Sequence, residues 1–147
     1  MFKHLLVPTD GSQLSDSAVE RAIDFARETG ARITFFYAQP EPPMQIYGDG
    51  PVMDAHAPER FAKLAQSRAD ETLGKAVEVA TAAGVAAESR TLVSETPYVA
   101  IIGAAEAQGC DIIFMASHGR RGITGLLLGS ETQKVLTHSK IPVLVYR

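Results

Sequence analysis

Residues 112–133 read IIFMASHGRRGITGLLLGSETQ, and how they are read decides the rest of the chain. The stretch opens on five apolar residues, Ile112 to Ala116, of the kind buried on both faces of a parallel sheet. It closes on Ser130-Glu131-Thr132-Gln133, a helix start in which Ser130 is expected as N-cap with Gln133 three residues on. Between them, Gly119, Gly122, Gly125 and Gly129 fall within eleven residues. Glycine loses more conformational entropy on folding than other residues, so such a cluster answers a special demand. The demand is either positive φ angles or a close approach to the backbone. At the helix start the first N–H groups are unpaired and the dipole is positive, which together favour an anion.

Working outward, strands are expected at residues 3–8, 32–38, 88–93, 111–117 and 142–146, mostly as continuous apolar runs. Helices fall between them. The first runs to about Thr29, with Ala18, Ala22, Phe25 and Ala26 on one face and Gly30 at its end. Pro58 opens the second as its first residue, and Gly84 follows its close. Thr96 is the expected N-cap of the third, with Pro97 first and an inner stripe of Tyr98, Ile101, Ile102 and Ala105. The last spans residues 130–138. Strictly alternating strands and helices imply an α/β fold, a parallel sheet covered by helices on both faces, in one domain over residues 1–147. Residues 39–57 hold four of the eight prolines and two glycines. So long a connection is functional or mobile, and it is expected to behave as a lid.

The totals narrow the function. The chain has 147 residues, 46% of them hydrophobic and 21% charged, and a net charge of −3. With no basic block, no nucleic-acid surface is expected. No apolar run approaches bilayer length, so no membrane partner is expected either. Residues 1–7 read as a strand rather than a signal sequence, and the protein is expected to be cytoplasmic. Cys110 stands alone, which excludes an intrachain disulfide, and reads as a packed thiol. His4, His56 and His138 lack metal-ligand spacing.

Two loops leave the carboxyl ends of strands with unusual composition: Pro8-Thr9-Asp10-Gly11-Ser12 and the glycine cluster. Open α/β sheets bind ligands at such ends. Asp10 either bonds its local backbone or holds Mg²⁺, usually through water. His118 is a structural or contact residue. Arg120 and Arg121 are solvated loop charges that a phosphate would also suit, and Leu126, Leu127 and Leu128 are core or interface. Neither GxxxxGK[ST] nor a post-strand GxGxxG occurs, so a phosphate or nucleotide site here is of neither common type.

With "LLVPTDGS", "CDIIFMASHGRRG" and "LLLGSETQKVLTHSKIPVLVYR" in place, the whole chain resembles the universal stress protein family. The family's ATP pattern is glycine, two residues, glycine, nine residues, glycine, then serine or threonine. Gly119, Gly129 and Ser130 match it, and Ala116 stands at the first glycine. If that position has negative φ the extra methyl costs little; with positive φ it obstructs. The resemblance implies a Rossmann-like five-stranded sheet in order 3-2-1-4-5, which sets the two loops side by side. It implies ATP or ADP with Mg²⁺, with Gly119, Gly129, Ser130 and Thr132 at the phosphates and ribose. Ala116, His118, Gly122 and Glu131 belong to the same segment of the site. By the same resemblance Asp10 meets the magnesium hydration shell, and Pro8, Thr9, Ala38 and Met115 frame the adenine. A homodimer through residues 142–146 is implied too, and an apolar edge strand agrees with it. The expected role is a nucleotide-dependent regulator or sensor of stress. The alternatives are a nucleotide-free scaffold of the same fold or, at most, slow ATP hydrolysis with no dedicated catalytic residue.

Overall fold

The computed structural model describes residues 1–43, 55–119 and 127–147. Strands β1 (His4–Pro8), β2 (Arg32–Gln39), β3 (Ala87–Val93), β4 (Ile112–Ala116) and β5 (Val143–Tyr146) alternate with helices α1 (Gln13–Thr29), α2 (Ala57–Ala82), α3 (Pro97–Ala107) and α4 (Ser130–His138). The strands form one sheet in the order β3-β2-β1-β4-β5, and every pairing is parallel. The order reverses between β1 and β4, which opens a crevice at their carboxyl ends.

The strands read as unbroken apolar runs because both faces of the sheet are covered. Leu5, Val7, Ile33, Phe35, Ile112 and Phe114 point to one face, where they share a core with Val19, Ala22 and Ile23 of α1 and Ala69 and Leu73 of α2. Leu6, Phe36, Ile113 and Met115 point to the other, against Ala100, Ile101 and Ala105 of α3 and Val135 of α4. The alternation is the two-residue period of a strand. On α3 the fully buried line is Ala100, Ile101 and Ala105, while Tyr98 and Ile102 are half-buried beside it. Small residues let that helix lie close to the sheet, and the larger ones pack at its flanks.

Helix ends follow their local chemistry. α1 stops at Gly30, which takes the left-handed conformation (φ 71°) that an L side chain resists. α2 begins at Ala57, one residue before the expected Pro58, which still occupies the first turn.

His4, at the amino end of β1, is 4% exposed. Its Nε2 lies 2.8 Å from Thr34 Oγ1, and that hydroxyl donates to Glu88 Oε1 at 3.1 Å. The other ring nitrogen, Nδ1, is buried and meets no hydrogen-bond partner among the described residues. Burial first, and the nearby Arg32 charge second, push His4 below its ordinary value of 6.5. Below 6.5 the unfolded chain therefore binds more protons than the folded one. Stability is complete above that value and falls as the pH drops through it toward the folded pKa. Melting temperatures should decline from pH 7 to pH 5, and the slope should shallow in a His4→Gln variant. Asp111 acts in a lower window. Burial works against its charge, but the N–H groups of Lys3 and His4 donate to it and hold it below 3.8.

Cys110 is buried and its thiol is pushed up to about 11, chiefly by that burial, as suits a packing residue.

Candidate functional site

The crevice between β1 and β4 holds a cavity of about 750 Å³, within the range of small-molecule sites. Pro8, Thr9, Asp10 and Ala38 reach it from the ends of β1 and β2. Met115, Ala116, His118 and Gly119 reach it from the end of β4, and Gly129, Ser130, Glu131 and Thr132 from the start of α4. The sequence-predicted site residues among the described ones thus share one cavity. Gly122, Arg120, Arg121 and Leu126 lie outside the described residues, as do residues 44–54 of the expected lid.

The loop after β1 is tied by its own short polar side chains. Thr9 N–H donates to Phe36 O at 2.8 Å, which extends the sheet by one bond. Ser15 Oγ donates to Thr9 Oγ1 at 2.8 Å and accepts from Asp10 N–H at 3.2 Å. Ser12 caps α1, its side chain accepting from Ser15 N–H at 3.3 Å. Asp10 Oδ1 accepts from Ser12 N–H at 2.9 Å, so one carboxylate oxygen serves the turn. Its Oδ2 lies against Gly119, where a Cβ would collide with it. The two loops therefore touch, and a side chain at 119 would have to displace the Asp10 carboxylate from its present position.

The second glycine has a similar reason. Gly129 has φ −60° and ψ 152°, which any residue can adopt. A Cβ there would sit 3.1 Å from Ser117 O and 3.2 Å from His118 Cα. Gly129 N–H also donates to Ser117 O at 2.8 Å, which stitches the helix start to the end of β4. Close contact, with the Asp10 carboxylate at Gly119 and with backbone at Gly129, is the demand rather than positive φ. Among the described residues positive φ occurs only at glycines, so Ala116 has negative φ and its methyl meets no backbone penalty.

One expectation about α4 is corrected. Gly129, not Ser130, is the N-cap, and Ser130 is the first helical residue with its side chain exposed. No side-chain cap bond forms, and Gln133 Nε2 donates instead to Leu128 O at 2.8 Å. The bond to Ser117 holds Gly129 extended, so the helix starts one residue earlier than a capping box at Ser130 requires. The start of α4 therefore faces the cavity without a cap from its own side chains.

Two further side chains carry structural duties that the sequence did not reveal. Thr132 is buried, and its hydroxyl lies 3.0 Å from Ala116 O and 3.1 Å from Ser117 O, fixing α4 to β4. Glu131 reaches α3, where its Oε2 accepts from Tyr98 N–H at 2.9 Å. A threonine two residues into a helix, and an acid in the first turn, are weak signals for bonds to other elements. His118 Nδ1 is held 3.0 Å from Ser117 Oγ, which orients its ring at the cavity wall.

On the β2–β3 side, Pro40, Pro42, Pro43 and Pro97 make the rim, none of them singled out from sequence as ligand-facing. Glu41 and Glu95 also line it, and the Glu41 carboxyl is raised, by desolvation first and then by the Glu95 charge. Among the described residues no group of three or more His, Cys, Asp or Glu could hold a metal ion. A metal at this site would depend on a ligand's own oxygens, with Asp10 among the carboxylates that line the cavity. No described helix is long and apolar enough to cross a membrane.

The model for the universal stress protein family matches residues 1–147. A universal stress protein from Thermus aquaticus is 31% identical over 147 residues, covering 100% of each chain. A crystal structure of a protein of that family from Burkholderia pseudomallei superposes with a TM-score of 0.78 at 25% identity, over 99% of this chain and 96% of that one. A universal stress protein solved in complex with cAMP gives a TM-score of 0.72 at 28% identity, over 99% of this chain and 97% of that one.

Proposed function

This chain belongs to the universal stress protein family, and we propose that its crevice binds an adenine nucleotide, ATP or ADP, as the input of a regulatory or sensing protein. The observation that carries this reading is the meeting of the two loops. Asp10 of the first lies against Gly119 of the second, and the uncapped start of α4 opens beside them. That start offers unpaired N–H groups and a positive dipole end to the phosphates. The related structure with cAMP supports an adenine ligand in this fold.

In this reading Ser130 and Thr132 receive the phosphates through their backbone N–H groups, while Gly129, whose own N–H is held by Ser117 O, lets them approach the helix start closely. The Thr132 hydroxyl stays on the β4 carbonyls. Mg²⁺ enters on the phosphates, and Asp10 accepts from its water shell. The base lies toward Pro8, Thr9, Ala38 and Met115. β1 pairs with β2 no further than Pro8 opposite Phe36, so the backbone edge at Ala38 opens toward the cavity. His118 and Ala116 form wall rather than chemistry, and no residue is given a catalytic role. β5 ends the sheet as four half-buried residues, Val143–Tyr146, and in this reading it pairs with a second copy of the chain.

Titrating Mg-ATP into protein stripped of nucleotide tests the reading. One nucleotide is expected per chain, with Asp10→Ala losing most of the magnesium-dependent part of the affinity and keeping the magnesium-free part. No heat of binding with Mg-ATP, Mg-ADP or cAMP would remove the nucleotide reading.

A further inference from the structure

Helices α3 and α4 both start at the same cavity, and neither is capped by its own side chains. Thr96 precedes α3 and makes no side-chain cap bond, and Gly129 precedes α4 with no side chain to offer. Two positive helix ends thus reach one cavity. They are not equivalent. Glu131, in the first turn of α4, sends its Oε2 across to Tyr98 N–H at 2.9 Å, in the first turn of α3. A carboxylate accepting a backbone N–H at a helix start is a strong cap, because it meets an orphan donor and the dipole together.

The other carboxylate oxygen is held as well. Oε1 accepts from Lys134 Nζ at 3.0 Å, one turn further along α4. Lys134 Nζ in turn lies 5.6 Å from the Tyr98 ring centroid, and that ring lies 5.1 Å from the His138 ring. α3 and α4 are therefore joined at the first turn by Glu131 and further along by Tyr98 with Lys134 and His138. Lys134 also offsets the charge of Glu131, so the carboxylate does not confront incoming phosphates as a bare anion.

We infer that Glu131 is a positioning residue that assigns the ligand's phosphates to α4. It does so by neutralising the competing start of α3 and by holding the first turn of α4 in place. Sequence position put Glu131 among the ligand contacts, whereas the bond to Tyr98 has it act through α3. The inference rests on the nucleotide reading above. It separates the ligand into two parts, since Glu131 governs the phosphate end and not the base.

The test compares wild type, Glu131→Ala and Glu131→Gln in titrations with Mg-ATP and with adenosine, and follows exchange of the Tyr98 amide without ligand. Glu131→Ala should weaken Mg-ATP about tenfold, leave adenosine affinity unchanged and speed Tyr98 exchange about tenfold. Glu131→Gln keeps an acceptor oxygen and should restore both most of the Mg-ATP affinity and the slow exchange. Unchanged Mg-ATP affinity in Glu131→Ala would overturn the inference. So would equal losses for ATP and adenosine, which would mark a general effect on the fold. Wild type that binds no Mg-ATP, with Tyr98 exchange still responding to the variants, would show that the nucleotide reading itself had failed and the phosphate role with it.

Discussion

Gly129→Val should cost the protein about 1–3 kcal/mol of stability and abolish the proposed binding of nucleotide. Two methyl groups would be added where even the Cβ stands 3.1 Å from Ser117 O and 3.2 Å from His118 Cα. Both neighbours are backbone at the end of β4, so neither can swing aside as a side-chain tip would. Relief requires the Gly129–Ser117 bond of 2.8 Å to lengthen, and that moves the first turn of α4 away from the sheet. Thr132 then loses its carbonyl partners, and the N–H groups offered to phosphate leave their positions. Gly103→Ala is the matched comparison. Gly103 lies inside α3, a Cβ there meets nothing within 4 Å, and the change should add roughly 0.5–1 kcal/mol through helix propensity. Urea denaturation and Mg-ATP titration of the two variants read both effects. Unchanged stability and affinity in Gly129→Val would show that the contact between β4 and the helix start is not as tight as described.

Phe35→Ala should lower stability by about 3–5 kcal/mol. Phe35 is 0% exposed, sits in β2 between β1 and β3, and belongs to the core under α1 and α2. Its removal leaves a hole with no solvent access, which the packed alanines of α2 cannot fill by small shifts. A domain of this size commonly has 5–15 kcal/mol in total, so the variant should unfold at markedly lower urea. Leu92→Ala, on the edge strand β3 and 55% exposed, should stay within about 0.5 kcal/mol of the parent. Comparable losses at the two positions would contradict the two-faced core.

Much of this architecture is legible in the chain, for identifiable reasons. Apolar runs such as Leu5-Leu6-Val7 and Ile112 to Met115 can only satisfy both neighbours if both sheet faces are covered, and they are. Gly30 marked the end of α1 because few residues other than glycine take that conformation. Pro97 marked the start of α3 because its missing N–H costs nothing there. The strand order came with the family resemblance rather than from any local pattern.

The site was legible as a place more than as a set of bonds. Composition pointed to the loops after β1 and β4, and their residues share a cavity. The same letters admitted several local arrangements. Ser130 with Gln133 has the spacing of a capping box, yet a bond between Gly129 and Ser117, twelve positions earlier in the chain, sets the helix start. Ala116 left its φ undetermined until β4 was seen to run through it as ordinary extended strand. Glu131 to Tyr98, and His4 through Thr34 to Glu88, are bonds between elements far apart in sequence. No spacing rule within one helix or strand encodes them.

In the proposed complex an adenine nucleotide lies in the β1–β4 crevice with its phosphates on the start of α4. Backbone amide shifts of isotope-labelled protein, recorded as Mg-ATP is added, address it residue by residue. Large, saturable shifts at Gly129, Ser130, Glu131 and Thr132, together with Gly119 and Ala38, are the expected result. Shifts confined to other parts of the sheet, or none at saturating nucleotide, would contradict it.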